Sequence, residues 1–405
     1  MKGKTGIMLL FAIAMMALWG VGGKEQKQSP GIIKLQPVDI DFYAPPADGS
    51  PLPLNVEGRP QNVVLLIGDG MGLAQITLAR LRAVGANGRL HMDRMPATGL
   101  VFTHSANALV TDSAAAGTAL ASGFKTKNGV VGHAPDGSKV RTLVEAARDK
   151  GLAAGLVVTS TISHATPASF AAHVHSRGDE ADIALQMSAS GIEVLLGGGR
   201  DYWLPEAAKG KRKDNRDLIA ECRERGYTII ETREELAAAR GEKILGLFQG
   251  ASLSTRAMEP TLADMTAKAI EILKQDADGF FLMVEGSQID WKCHDNNAEE
   301  MVRQLLLFDM AVKTVLDFAC QDRQTLVIVT ADHETGGLAV LDGHLNGKEL
   351  QLSWATTNHT PLPSPLYAYG PGALLFTGVQ DNTDVPKKIA FLAEWPLTLT
   401  EAAGK

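Results

Sequence analysis

Cysteine is nearly missing from this chain of 405 residues: it occurs only at Cys222, Cys293 and Cys320. So sparse a set excludes a disulfide scaffold, and the odd count leaves at least one thiol outside any internal pair. A surplus of positive charge is also missing. With 39 Lys+Arg against 46 Asp+Glu, the net charge is −7, which argues against non-specific nucleic-acid binding. An anionic substrate must then be held by local positive charge, and metal ions are one source. Beyond the N-terminal segment there is no second long apolar run, no internal repeat and no low-complexity tract. The 41 Gly and 18 Pro exclude a coiled coil, while 45% hydrophobic and 21% charged residues exclude disorder. Walker A, dinucleotide-binding and Gly-x-Ser-x-Gly signatures are all missing, which disfavours nucleotide-loop enzymes and serine esterases.

What is there begins with Lys2 and Lys4, followed by an apolar run from Ile7 to Gly23. That is the pattern of a secretory signal over residues 1–23, with an uncleaved membrane anchor as the alternative reading of a run just short of a comfortable span. Removal of the signal would take the net charge from −7 to −9 and leave an exported, periplasmic or secreted protein with no stable membrane span. Residues 24–60 form a proline-rich arm, with Pro30, Pro37, Pro45, Pro46, Pro51, Pro53 and Pro60, lying on the surface or reaching a partner subunit. From residue 61 to 405, short apolar runs alternate with helical patterns. Strands are expected at Asn62–Ile67, Ala154–Thr159, Glu193–Leu196, Phe280–Val284, Thr325–Thr330 and Leu374–Phe376. Helices are expected at Val140–Asp149, Leu262–Gln275 and Ala298–Ala319. The fold class is α/β, a mostly parallel central sheet with helices on both faces. The basic run Lys209–Lys213 reads as a solvated loop.

Ligands of open α/β sheets bind at the carboxyl ends of strands. Here Asp69, Glu285 and Asp332 follow three of the expected strands, and His333 and His164 sit close by. Each acid alone reads as a cap or turn residue, but several converging acids require cations. Carboxylate with imidazole suits zinc. Asp290 and His294, four apart, share one helix face. Ser113 opens the small-residue stretch Ser113–Ala121 and reads either as an N-cap or as a nucleophile at a helix start. His359 lies in a loop.

In order along the chain stand Val63–Gly72, Thr111–Ala115, His164–Ala168, His173–Arg177, Leu195–Arg200, Glu285–Asp290, Thr330–His333 and His359–Thr360. Together they resemble bacterial alkaline phosphatases, over residues 61–405 as the catalytic domain. The resemblance implies hydrolysis of phosphate monoesters through a phosphoserine on Ser113, and a homodimer. It implies one zinc on Asp290, His294 and His359, and a second on Asp69, Asp332, His333 and Ser113. It also implies a magnesium on Asp69, Thr166 and Glu285, and a phosphate grip by Arg177. His164 and Trp291 stand where the best-known enteric form has aspartate and lysine. These two are expected near the substrate phosphate, with magnesium bound less tightly. Only 22 residues, 335 to 356, separate the Asp332–Glu334 turn from the His359 loop, too few for a large crown insertion. Ser113 is followed by alanines, which argues against a sulfatase. The presence of Arg177 argues against a phosphodiesterase, and no ligand is missing as it would be in an inactive binding protein.

Overall fold

The computed structural model describes residues 31–54, 57–256 and 258–397. The signal segment lies outside them. Ten strands form one sheet: β1 Asn62–Gly68, β2 Ala97–Phe102, β3 Ala153–Thr161, β4 Val194–Gly198, β5 Thr228–Ile230, β6 Ile244–Leu247, β7 Phe280–Gly286, β8 Thr325–Thr330, β9 Ser364–Tyr369 and β10 Gly378–Asp381. Their order is β10-β2-β9-β8-β1-β7-β3-β4-β6-β5. Only β9 runs against its neighbours.

Central strands are apolar without alternation because both faces are covered. In β1, Val64 and Leu66 enter one core, while Val63, Leu65 and Ile67 enter the other. The first core is closed by α1 Leu73–Val84, α7 Arg233–Ala238, α8 Leu262–Leu273, α9 Gln288–His294 and α10 Ala298–Asp322. The second is closed by α2 Ser113–Ser122, α3 Leu143–Arg148, α4 Ala165–Ala171, α5 Glu180–Ser190, α6 Leu218–Glu224 and α11 Asp384–Ala393. Helix α8 shows how local sequence and packing agree. Thr261 and Asp264 cap it reciprocally, and Leu262, Met265, Ala269, Ile272 and Leu273 form its buried stripe.

Register brings the candidate site together. Ile67 lies beside Thr330 on one side and beside Glu285 on the other, and Val158 also pairs with Glu285. The chain therefore leaves β1, β7, β8 and β3 at one edge of the sheet, and Asp69, Glu285, Asp332 and His164 all fall there.

Two expectations are corrected. Leu374–Phe376 is one turn of 3-10 helix, not a strand; Gly370 and Gly372, both at positive φ, turn the chain before it, and the edge strand is β10. Arg212 of the basic run is buried. It donates to the carbonyls of Ala181 and Tyr202 and pairs with Asp214. The three cysteines are free. The described part of the proline-rich arm packs on its own chain. Ile33–Lys34 pairs with Gln351–Leu352, and Val38, Tyr43 and Leu52 are buried. The Tyr43 hydroxyl donates to Asp309 Oδ2 at 2.8 Å. No helix among the described residues is long and apolar enough to cross a membrane.

Candidate metal centre

Asp69 follows β1 in a turn that only glycine completes. Gly70 has φ +71, and a Cβ there would lie 2.8 Å from Asp290 Cα. This close approach stacks the β1 turn against the start of α9. Asp332 is steadied by the backbone N–H groups of Gly70, at 3.1 Å, and His333, at 2.9 Å, both on Oδ1. Its Oδ2 is left beside His333 Nε2, at 3.1 Å. His333 Nε2 is also 3.6 Å from Asp69 Oδ1 and 3.4 Å from Ser113 Oγ. Asp69, Asp332, His333 and Ser113 are thus one buried group.

A second group is built on α9. His294 Nε2 lies 3.2 Å from Asp290 Oδ2, and His359 Nε2 lies 3.5 Å from Asp290 Oδ1. The two Nε2 atoms are 3.1 Å apart. Each ring is turned inward by its other nitrogen: Nδ1 of His294 donates to Thr357 O at 2.6 Å, and Nδ1 of His359 donates to Thr111 O at 2.8 Å. With Nδ1 bound to a carbonyl, Nε2 of each ring points at the Asp290 carboxylate, the orientation that metal-binding histidines require. Thr335 Oγ1 joins the groups, donating to Asp290 Oδ1 and lying 3.3 Å from His333 Nδ1.

The third group is Asp69, Glu285 and His164, whose ligand atoms lie within 4.8 Å of one another. Ser287 donates to Glu285 Oε2 at 2.7 Å. The Thr166 hydroxyl is buried here without a hydrogen bond. A Cβ at Gly117 of α2 would lie 2.9 Å from Ser169 Oγ of α4, so the small residues of α2 let α4 bring Thr166 alongside.

The electrostatics demand cations. Burial, together with the carboxylates of Asp332, Asp290 and Glu285, pushes Asp69 well above its ordinary range. Burial drives Glu285 up to about 7. The hydrogen bond to Asp290 raises His294 to about 9, while burial and Arg177 hold His164 down at about 4. Both oxygens of Asp69, Oδ2 of Asp332, Oε1 of Glu285, Oγ1 of Thr166 and Nδ1 of His164 are buried without a hydrogen bond. Orphaned carboxylate oxygens are costly in a low dielectric. Divalent cations at these three clusters would satisfy them, so the donor sets fit.

Ser113 is the first residue of α2, and the cap is Asp112, whose Oδ1 accepts from Ala115 N at 3.0 Å. The N-cap reading of Ser113 is therefore corrected. Asp112 Oδ2 also accepts from Gly129 N at 3.0 Å and from Arg177 Nη1 at 3.1 Å. Arg177 Nη2 lies 3.1 Å from His164 Nε2, and the half-buried Trp291 packs edge-on against His164 at 6.0 Å. The structure thus gathers all twelve residues singled out in the sequence. Asp112, Thr335 and Ser287 were not singled out. Asp112 had a local signal, an acid directly before a small-residue helix.

The fold and this cluster define a class: an α/β protein whose buried acids and histidines form a candidate metal centre at the sheet's carboxyl edge. The model of the family described as alkaline phosphatase matches residues 60–349. The chain is 35% identical to alkaline phosphatase 4 of Bacillus subtilis, over 80% of this chain and 87% of that one. It is 36% identical to the streptomycin-6-phosphate phosphatase of Streptomyces griseus, over 80% and 88%. Among solved structures, the alkaline phosphatase of the Antarctic bacterium TAB5 is 36% identical and covers 84% of this chain and 99% of its own, with a TM-score of 0.76. A histidine-to-aspartate variant of that protein has Mg bound in its M3 site. The chain belongs to the alkaline phosphatase family. It is a phosphatase, a metal-dependent hydrolase of phosphate monoesters.

Proposed function

We propose that Ser113 is the nucleophile of a phosphoserine mechanism served by two zinc ions and one magnesium. Asp290, His294 and His359 would hold one zinc, and Asp69, Asp332 and His333 the other, beside Ser113. Asp69, Glu285 and Thr166 would hold the magnesium. The observation that carries this reading is the placement of Ser113 Oγ at the N-terminus of α2, 3.4 Å from His333 Nε2. Bound there, the cations supply Lewis acidity, lowering the pKa of the serine hydroxyl and balancing charge on the leaving oxygen. Asp112 caps α2 and leaves Ser113 facing the site. The Arg177 guanidinium, steered by Asp112 Oδ2, presents two N–H donors to non-bridging phosphate oxygens. Ser113 gives up its proton, its Oγ bonds to phosphorus as the ester bond breaks, and the leaving oxygen takes up a proton from solvent to depart as the alcohol. A water then cleaves the Oγ–P bond and regenerates the serine.

His164 and Trp291 adjust this site. Magnesium prefers an all-oxygen octahedron, whereas His164 adds a nitrogen to the third cluster. The double change His164→Asp, Trp291→Lys is expected to tighten magnesium and inorganic phosphate together, read by calorimetric titration. Unchanged affinities would place both side chains outside the phosphate's reach.

The reading also covers export to the periplasm on the 1–23 signal and assembly as a homodimer.

The test of the function is selectivity. A monoester dianion offers Arg177 spare charged oxygens, while a diester carries one charge and a second substituent. A charge-assisted hydrogen bond contributes roughly 1.5–3 kcal/mol, and each 1.36 kcal/mol is about tenfold in rate. Arg177→Ser is thus expected to lower kcat/KM for an aryl phosphate monoester on the order of a hundredfold and that for a diester far less. Equal losses on the cation-replete variant would mean that Arg177 acts through stability or cation binding.

A further inference from the structure

Glu334 belongs to none of the three clusters, yet it is 2% exposed and follows Asp332 and His333 directly. Among the described residues no Lys or Arg pairs with it. Its charge is met by four neutral donors. Oε1 accepts from Gln75 Nε2 of α1 at 2.7 Å and from Leu338 N at 3.3 Å. Oε2 accepts from Gly337 N at 3.2 Å and from the hydroxyl of Thr360. Burying a carboxylate with this many donors and no cation is an expensive arrangement. It makes physical sense where the geometry it enforces matters.

What it enforces is the seat of the 355–360 loop. That loop meets the rest of the site through a ribbon of two residue pairs, Glu334 with Thr360 and Thr335 with His359, and through backbone hydrogen bonds of Gly336 and Gly337 with Ala355, Thr356 and Asn358. So short a ribbon has little stability of its own. Yet the loop does two jobs for one cluster: it carries His359, and its Thr357 carbonyl orients His294. Two of the three donors of the Asp290–His294–His359 group therefore depend on where the loop sits. The side chain of Thr360 ties the loop to the β8 turn by its hydrogen bond to Glu334.

We infer that Glu334 is a positioning residue: by anchoring the loop through Thr360 it holds the rings of His294 and His359 at the spacing that retains a zinc ion on Asp290. The inference rests on the proposed zinc assignment. Its selectivity sets it apart from general stabilisation, because Asp69 and Asp332 take their places from β1 and β8, and His333, although its ring stacks on that of His359, is carried by the turn after β8 and held by Asp332.

The variants are Glu334→Gln, which turns one acceptor oxygen into an amide facing donors, and Thr360→Val, which keeps the shape and the carboxylate but removes the tie. Zinc-loaded protein is titrated with a chromophoric chelator, and the melting temperature of each cation-free protein is recorded. Residues that orient metal-binding side chains typically affect affinity ~10–100-fold. One zinc equivalent should weaken by that factor in Glu334→Gln and less in Thr360→Val, the other equivalent being unchanged. The weakened equivalent should be the one lost in His359→Ala, and adding Glu334→Gln to His359→Ala should weaken the remaining zinc no further. Equal weakening of both equivalents, or none, overturns the inference. A wild-type protein that retains no zinc overturns the assignment beneath it. Should Glu334→Gln fail to fold, Thr360→Val decides by the same criterion.

Discussion

Stripping the protein of divalent cations is expected to abolish turnover of a chromogenic phosphate monoester, and zinc with magnesium is expected to restore it. The reason lies in the charge inventory of the sheet edge. Asp69, Glu285, Asp290 and Asp332 are buried within one small region, and the guanidinium that reaches it, Arg177, is already engaged with Asp112. Without cations Asp69 and Glu285 relieve repulsion by taking up protons, while the neighbouring histidines hold Asp290 and Asp332 low. Burial and like charge raise Asp69, and burial raises Glu285 to about 7. Protonated acids neither activate Ser113 nor offset the charge of a phosphate dianion, so the loss should be close to complete. The measurement is activity against bound cation content, with the melting temperature as a second readout. Cations that bind only the folded state raise that temperature by mass action. Full activity in a preparation verified to be cation-free would refute the proposed chemistry.

The acids and histidines were legible in the sequence because buried parallel strands are written as continuous apolar runs, and the residues that end such runs must lie at one edge. Val63–Ile67, Phe280–Val284 and Thr325–Thr330 carry that signal plainly, and Asp69, Glu285 and Asp332 follow from it. The sheet's other flank was less legible. β2 reads Ala-Thr-Gly-Leu-Val-Phe and is only partly buried, so neither alternation nor a continuous run marks it. β9 runs opposite to its neighbours and begins Ser-Pro. Arg212 sits in a run of surface-type residues, and only the carbonyls of Ala181 and Tyr202, brought up by the fold, explain its burial. The supports of the site were hidden for the same reason. Thr335 matters because it lies between Asp290 and His333, 45 and 2 residues away, and Glu334 because a loop 26 residues on docks against it. Spacing along one chain does not encode such meetings. The grouping of His164 with Asp69 and Glu285 likewise depends on the approach of α4 to the sheet.

Replacing Ser113 by alanine should remove the covalent intermediate while leaving the site built. Alanine is the most favourable helix residue, Asp112 still caps α2 through Ala115 N, and Asp112 still holds Arg177. None of the other proposed ligands touches the serine except His333, whose ring is also held by its contacts with Asp332 and Thr335. The variant is therefore expected to fold, to retain its cations and to bind inorganic phosphate. Loss of a nucleophile costs on the order of 10³–10⁶ in kcat, and the lower end applies where water, activated by the same cations, attacks the ester directly. Turnover alone consequently does not decide the role of Ser113; covalent trapping does. Acid quench of the wild-type enzyme with labelled monoester should leave phosphate on the peptide containing Ser113, and the alanine variant should leave none. Label on any other residue would sink the assignment. Absence of label from the wild-type protein under conditions of rapid turnover would mean that water attacks the substrate in one step, with Ser113 serving only to open the helix.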